Sequence, residues 1–105
     1  MRILVVSDTH GDLRSLIKAV DAQRKAEIIV HCGDGEEQQR FLKDNYKDIM
    51  IVAVRGNCDW NSFFPSKEIF KACGKTIFVT HGHLYDAKSG LYRITSAARE
   101  AGADI

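Results

Sequence analysis

The sequence predicts an α/β fold with a mostly parallel sheet and an added β-hairpin. Three observations carry this reading. Short apolar runs alternate with helix-periodic segments over residues 2–54, the run of a parallel sheet with crossover helices. Two further strand-like runs between residues 67 and 80 are separated by a short turn signal. Each strand-like run of the alternating part gives way at once to a polar, glycine-containing loop.

In chain order, RILVV (2–6) is a continuous apolar run, the pattern of a strand covered on both faces. Asp12 can cap a following helix in which Leu13, Leu16, Ile17 and Val20 recur at i, i+3, i+4 and i+7. IIVHC (28–32) is a second buried strand, broken by GDGE, and a weaker helix runs through Phe41 and Leu42. IMIVAV (49–54) is a third strand, ended by RGNCDW. KEIFKAC and TIFVT then read as two strands of a hairpin joined at Gly74 and Lys75. HGHLYDAKSG is a polar loop, LYRITSAAREA a last helix stopped by Gly102, and ADI the first residues of another buried strand.

Length and composition limit the function. At 105 residues the chain is one domain, and 45% hydrophobic with 28% charged residues is an ordinary globular balance. A formal charge of +1 without runs of like charge gives no footprint for non-specific nucleic-acid or anionic-membrane binding. No apolar run reaches the roughly 20 residues that span a bilayer, and MRILVVSDTHG turns polar too early for a signal peptide, so a cytoplasmic location is expected. Cys32, Cys58 and Cys73 form no C-x-x-C pair, which argues against a disulfide framework or a thiolate zinc cage.

The strand ends carry the chemistry. Asp8 and His10, then Asp34, then Asn57 with Asp59, then His81 and His83 follow successive strands. In a parallel sheet these positions collect at one edge, where ligands bind. Alone, each is an ordinary turn residue or polar group. Together, carboxylate, imidazole and amide donors without sulfur suit Mn, Fe, Ni, Co or Zn, and aspartates from different loops can share ions in a two-metal clamp of the kind that hydrolyses phosphate esters. A dinucleotide-binding domain is disfavoured, because no G-x-G-x-x-G turn follows the first strand.

In order and spacing, DTHGD, GDG, RGNCD and THGH closely resemble the calcineurin-like metallophosphoesterase superfamily, and within it the branch of small prokaryotic phosphodiesterases. The resemblance covers essentially the whole chain. It implies the αββα sandwich of that family, of which residues 1–105 would be the amino-terminal part. It further implies a metal-dependent phosphoesterase in which activated water attacks a small phosphodiester or phosphomonoester, with two divalent ions, manganese foremost. By the same resemblance Asp8, His10 and Asp34 hold one ion, while Asp34 bridges to a second that Asn57 and His81 also hold. Asp34, Asn57 and His81 are then the catalytic group. The rival expectation is a non-catalytic scaffold, as in the retromer subunit with this fold; the intact ligand set favours the enzyme.

Two departures from the family pattern matter. Many relatives carry histidine where this chain has Cys58, and a thiol is a poorer proton donor to a leaving group and lacks imidazolium charge. The family domain also continues into a G-H-x-H strand, whereas this chain stops at Ile105; the expectation is a truncated single domain with weak metal binding and a tendency to self-associate. Arg55, Cys58, Asp59 and His83 are candidate substrate contacts, although Arg55 can equally be a solvated charge and His83 can simply hold its loop. His31 reads as a packed core histidine, and Cys32 and Cys73 as small buried hydrophobes. Trp60, Phe63 and Phe64 could line the mouth of the site or a partner surface, but as aromatics before Pro65 they read rather as a cover for the core or an oligomer contact.

Overall fold

The computed structural model describes residues 1–60 and 62–105. Helix α1 (Leu13–Ala22) begins where Asp12 accepts hydrogen bonds from the Ser15 amide at 3.1 Å and the Ser15 hydroxyl at 2.7 Å. Strands β1 (Ile3–Val6), β2 (Ile28–His31) and β3 (Met50–Ala53) form a parallel sheet in the order β1-β2-β3, with Val6 opposite His31 and His31 opposite Ala53. Helix α2 (Glu36–Asn45) connects β2 to β3. Strands β4 (Lys67–Ala72) and β5 (Lys75–Thr80) make the hairpin, and helix α3 (Tyr92–Glu100) follows.

Side-chain alternation sorts the two faces of the parallel sheet. Ile29 packs with Leu16, Val20 and Leu42 under the helices, while Ile28, Val30, Val52 and Val54 meet Phe70, Ala72, Ile77 and Val79 of the hairpin. The result is three successive layers: α1 with α2, the parallel sheet, and the hairpin. Ile29 and Leu42 are fully buried, each stabilising the fold by about 1.5–3 kcal/mol relative to exposure. Among the described residues no helix is long and apolar enough to cross a membrane.

The hairpin is a separate sheet stacked on the parallel one, in line with the αββα sandwich expected, because apolar residues of β4 and β5 find their partners face to face. Several sequence expectations are corrected here. The hairpin turn is Cys73–Gly74, both at positive φ (50° and 76°), rather than Gly74–Lys75, so Cys73 is exposed instead of buried. Strand β1 is an edge strand, and Val5 stays 61% exposed. Trp60 and Phe63 are 83% and 91% exposed and cover no core, since Phe70 and Ile77 already fill the space between the sheets. The polar loop contains a 3-10 turn at His83–Tyr85. The ADI segment is not a buried strand: Ile105 is 70% exposed, although Asp104 donates to the Thr76 carbonyl at 2.7 Å and Phe78 donates to the Ile105 carbonyl at 2.8 Å.

Candidate metal centre

Because β1, β2 and β3 run parallel, their carboxyl ends lie on one edge, and the loop after β5 comes to the same place. The β1 and β2 loops are stitched together by their backbones: the Asp8 amide donates to the Gly33 carbonyl at 2.8 Å and the His10 amide to the Asp34 carbonyl at 3.0 Å. Asp8, His10 and Asp34 all sit in the left-handed region, with φ of 56°, 43° and 59°. Side-chain-bearing residues rarely adopt that conformation, and its recurrence at three predicted ligands marks a backbone held for a purpose other than local comfort.

Asp34 is the hub. It is buried to 4% exposure, its Oδ2 lies 3.7 Å from His10 Nε2 and 3.5 Å from His81 Nε2, and its Oδ1 accepts the Cys58 amide at 2.8 Å. His10 Nε2 also lies 3.4 Å from Asp8 Oδ1. All five residues expected as ligands, Asp8, His10, Asp34, Asn57 and His81, are thus joined in one cluster through these contacts and that of His81 with Asn57.

The donor set fits a cation. His81 Nδ1 faces the Cys32 carbonyl at 3.0 Å and donates to it. Its Nε2 faces Asn57 Oδ1, 3.0 Å away, and Asp34 Oδ2, 3.5 Å away. His81 Nε2, Asn57 Oδ1 and Asp34 Oδ2 converge, an arrangement that a positive ion would fit, and a histidine anchored through its second nitrogen to a backbone carbonyl is the usual build of a metal ligand. Asp8 is held below the usual carboxylate range, first by the Ser7 hydroxyl and then, against partial burial, by His81 and His10.

Asp59 lines the cavity beside His10 and Cys58, and its carboxylate is occupied by backbone amides. Its Oδ2 accepts the amides of Asp34 at 2.8 Å and Gly56 at 2.7 Å, and its Oδ1 those of Gly35 at 3.0 Å and Glu36 at 3.2 Å. Partial burial pushes its carboxyl up, but the four backbone donors outweigh burial and hold it below the usual range. It anchors the Asp34 loop and caps α2 from outside the helix. Cys58 places its thiol with His10 and Asp34, and its pKa is raised, by desolvation first and then by the Asp34 charge.

Two cavities flank the cluster. One of about 370 Å³ is lined by His10, Asp34, Glu36, Cys58 and Trp60 among others, and one of about 230 Å³ by Asn57, His81, His83, Asp86 and Lys88. His83 therefore does face the site, its ring centroid 5.4 Å from that of His81; its pKa is lowered, by burial first and then by the neighbouring His81. Arg55 is exposed and lines neither cavity among the described residues.

Sequence reasoning missed the supports behind the ligands. A Cβ on Gly56 would lie 2.0 Å from Asp34 Oδ1, and one on Gly35 would lie 2.0 Å from Thr9 Oγ1. Glycines flanking Asp34 and Asn57 were visible in the GDG and RGN strings, but the close approach they permit was not.

An α/β scaffold that presents carboxylate, imidazole and amide donors from four strand-end loops around one buried aspartate is the build of a metal-binding hydrolytic domain. The family model described as the calcineurin-like phosphoesterase superfamily domain matches residues 1–105. This chain belongs to that superfamily, and membership in a metallophosphoesterase family implies divalent metal ions. It is 34% identical over 109 residues to the probable metallophosphoesterase YsnB of Bacillus subtilis (strain 168), covering 100% of this chain and 60% of that protein. A predicted phosphoesterase from Streptococcus pneumoniae TIGR4 superposes with a TM-score of 0.76 at 28% identity, covering 96% of this chain and 56% of the other. An archaeal phosphodiesterase superposes with a TM-score of 0.66 at 27% identity, covering 88% and 68%. The chain thus spans somewhat over half the length of YsnB and of the pneumococcal protein.

Proposed function

We propose that this domain hydrolyses phosphodiesters, and more broadly small phosphoesters, at a centre of two divalent ions, with manganese the first candidate. The convergence of His10 Nε2, His81 Nε2 and Asn57 Oδ1 on the buried Asp34 carboxylate is the observation that carries the reading. Asp8, His10, Asp34, Asn57 and His81 would hold the ions, with Asp34 central to the set. Bound there, the ions would supply activated water at neutral pH and neutralise charge on the phosphoryl oxygens.

The chain's own residues do the remaining work. The Cys32 carbonyl fixes the ring of His81, so that its free nitrogen faces the centre. The Asp59 carboxylate holds the Asp34 loop, and Gly56 leaves room for the Asp34 oxygen. His83 and Lys88, on the cavity that Asn57 and His81 share, are placed to meet phosphate oxygens. Cys58 stands where an imidazole would assist the leaving group; its raised pKa makes it a weak acid, so substrates with good leaving groups are favoured. The similarity to an archaeal phosphodiesterase supports the diester preference.

Manganese titration followed by calorimetry, paired with hydrolysis of an aryl phosphodiester, tests the reading. Wild type should bind the ion and turn over the ester, and Asp34→Asn should lose both. Full binding and turnover in Asp34→Asn would overturn the shared centre. Binding without turnover in wild type would favour a non-catalytic metal-binding or scaffold role.

A further inference from the structure

Behind the ligand cluster lies a buried polar chain that the proposed chemistry does not use. His31, Gln38 and Gln39 are at most 4% exposed, an expensive set of groups to place beside a hydrophobic core unless each finds a partner. Gln39 Nε2 donates one hydrogen to the Val54 carbonyl at 2.7 Å and the other to His31 Nδ1 at 2.9 Å. The Gly33 amide also donates to His31 Nδ1, at 3.2 Å. With two donors aimed at it, Nδ1 is an acceptor and the ring proton resides on Nε2. That proton goes to Thr9 Oγ1 at 3.0 Å, the Thr9 hydroxyl donates to Gln38 Oε1 at 3.0 Å, and the same oxygen accepts the Gly11 amide at 3.0 Å. The chain of bonds links the residue after β3, β2, α2 and the loop after β1, with Gln39 donating at one end and Gln38 Oε1 accepting at the other.

The two ends of this chain are informative. Thr9 lies between Asp8 and His10, and Gly33 directly precedes Asp34. The network therefore grips the two strained loops that carry three of the five ligands, and Gly35 keeps its close seat against Thr9 Oγ1 and His31 Nε2 only because it has no Cβ. The sheet does not need these bonds, since β1 and β2 are already paired through Val6 and His31 by their backbones.

We infer that His31 is a positioning residue, which through the Thr9 hydroxyl and the Gly33 amide sets the mutual placement of Asp8, His10 and Asp34. The inference rests on the proposed metal centre. Three measurements on the 105-residue chain test it. Nitrogen-15 NMR without metal should show His31 as the Nε2–H tautomer. Calorimetric manganese titration should show Thr9→Val and His31→Asn each weakened about 10-fold, the range seen when the partner of a metal ligand's support is removed. The double variant should be no weaker than His31→Asn, because the Thr9–His31 bond is already absent there. Thr9→Ser, which keeps the hydroxyl, should bind as wild type does. Should His31→Asn fail to fold, Thr9→Val against Thr9→Ser carries the comparison. An Nδ1–H tautomer, or unchanged affinity in Thr9→Val, would overturn the inference. Absence of manganese binding by wild type would overturn the metal centre itself and this inference with it, a result distinct from variants that bind as wild type does.

Discussion

Replacing Asp59 by alanine removes one side chain from the rim of the site and strips four backbone amides of their acceptor. Three of them belong to buried residues, Asp34, Gly35 and Gly56, and the fourth to Glu36 in the first turn of α2. Hydrogen bonds to a charged acceptor contribute about 1.5–3 kcal/mol each, whereas loss of a helix cap alone costs about 0.5–2 kcal/mol. The four bonds share one carboxylate, and Asp59 is only partly buried, so water replaces some of what is lost. A net loss of about 3 kcal/mol follows, below the roughly 5–15 kcal/mol of a small domain, and the variant should still fold. Urea unfolding reads this directly: with a slope of about 1–1.5 kcal/mol per molar for a chain of this size, the midpoint should fall by about 2 M. Asp59→Asn, which keeps one carbonyl oxygen but turns an amide group toward other donors, should fall by about half as much. A midpoint within about 0.3 M of wild type for Asp59→Ala would refute the anchoring role, because no redistribution of water replaces four charge-assisted bonds at so little cost.

The remaining predictions concern the same edge of the sheet. Gly56→Ala forces a methyl group to within 2.0 Å of Asp34 Oδ1, so Asp34 must move, and calorimetry should show manganese affinity reduced at least about 10-fold even where circular dichroism reports a folded chain. Burial lowers the pKa of His31, so below about pH 6.5 the unfolded chain binds a proton that the folded chain refuses. Stability is therefore full above that pH and falls on acidification, and the urea midpoint of wild type should drop more steeply towards about pH 5 than that of His31→Asn; parallel profiles would contradict a buried neutral imidazole. Imidazole nitrogens ligate only when unprotonated, so manganese should bind more weakly at about pH 5 than at about pH 7.5. Rates across aryl phosphodiesters should depend steeply on leaving-group acidity, and Cys58→His should flatten that dependence if position 58 serves the leaving group.

The sequence by itself determined the alternation of strands and helices, the Asp12 cap and the polar residues at the strand ends, because these are local signals. Apolar periodicity, a capping aspartate and polar residues at strand ends are each legible within a few positions. It also supported a buried His31, since IIVHC is apolar on both sides of that residue. Tertiary structure decided the rest, because the rest depends on which surfaces meet. The hairpin stacks on the parallel sheet rather than joining its edge, since Phe70 and Ile77 pack onto Val30 and its neighbours. Strand β1, as apolar in sequence as β2, is left an exposed edge. Asp59, which reads as a turn residue beside the site, collects amides 23 to 25 positions away as well as that of Gly56, and Thr9, His31, Gln38 and Gln39 form a network between residues up to 29 apart. No spacing rule links positions that distant; only the folded backbone brings their donors and acceptors within hydrogen-bonding range, and with them the geometry that holds the ligands.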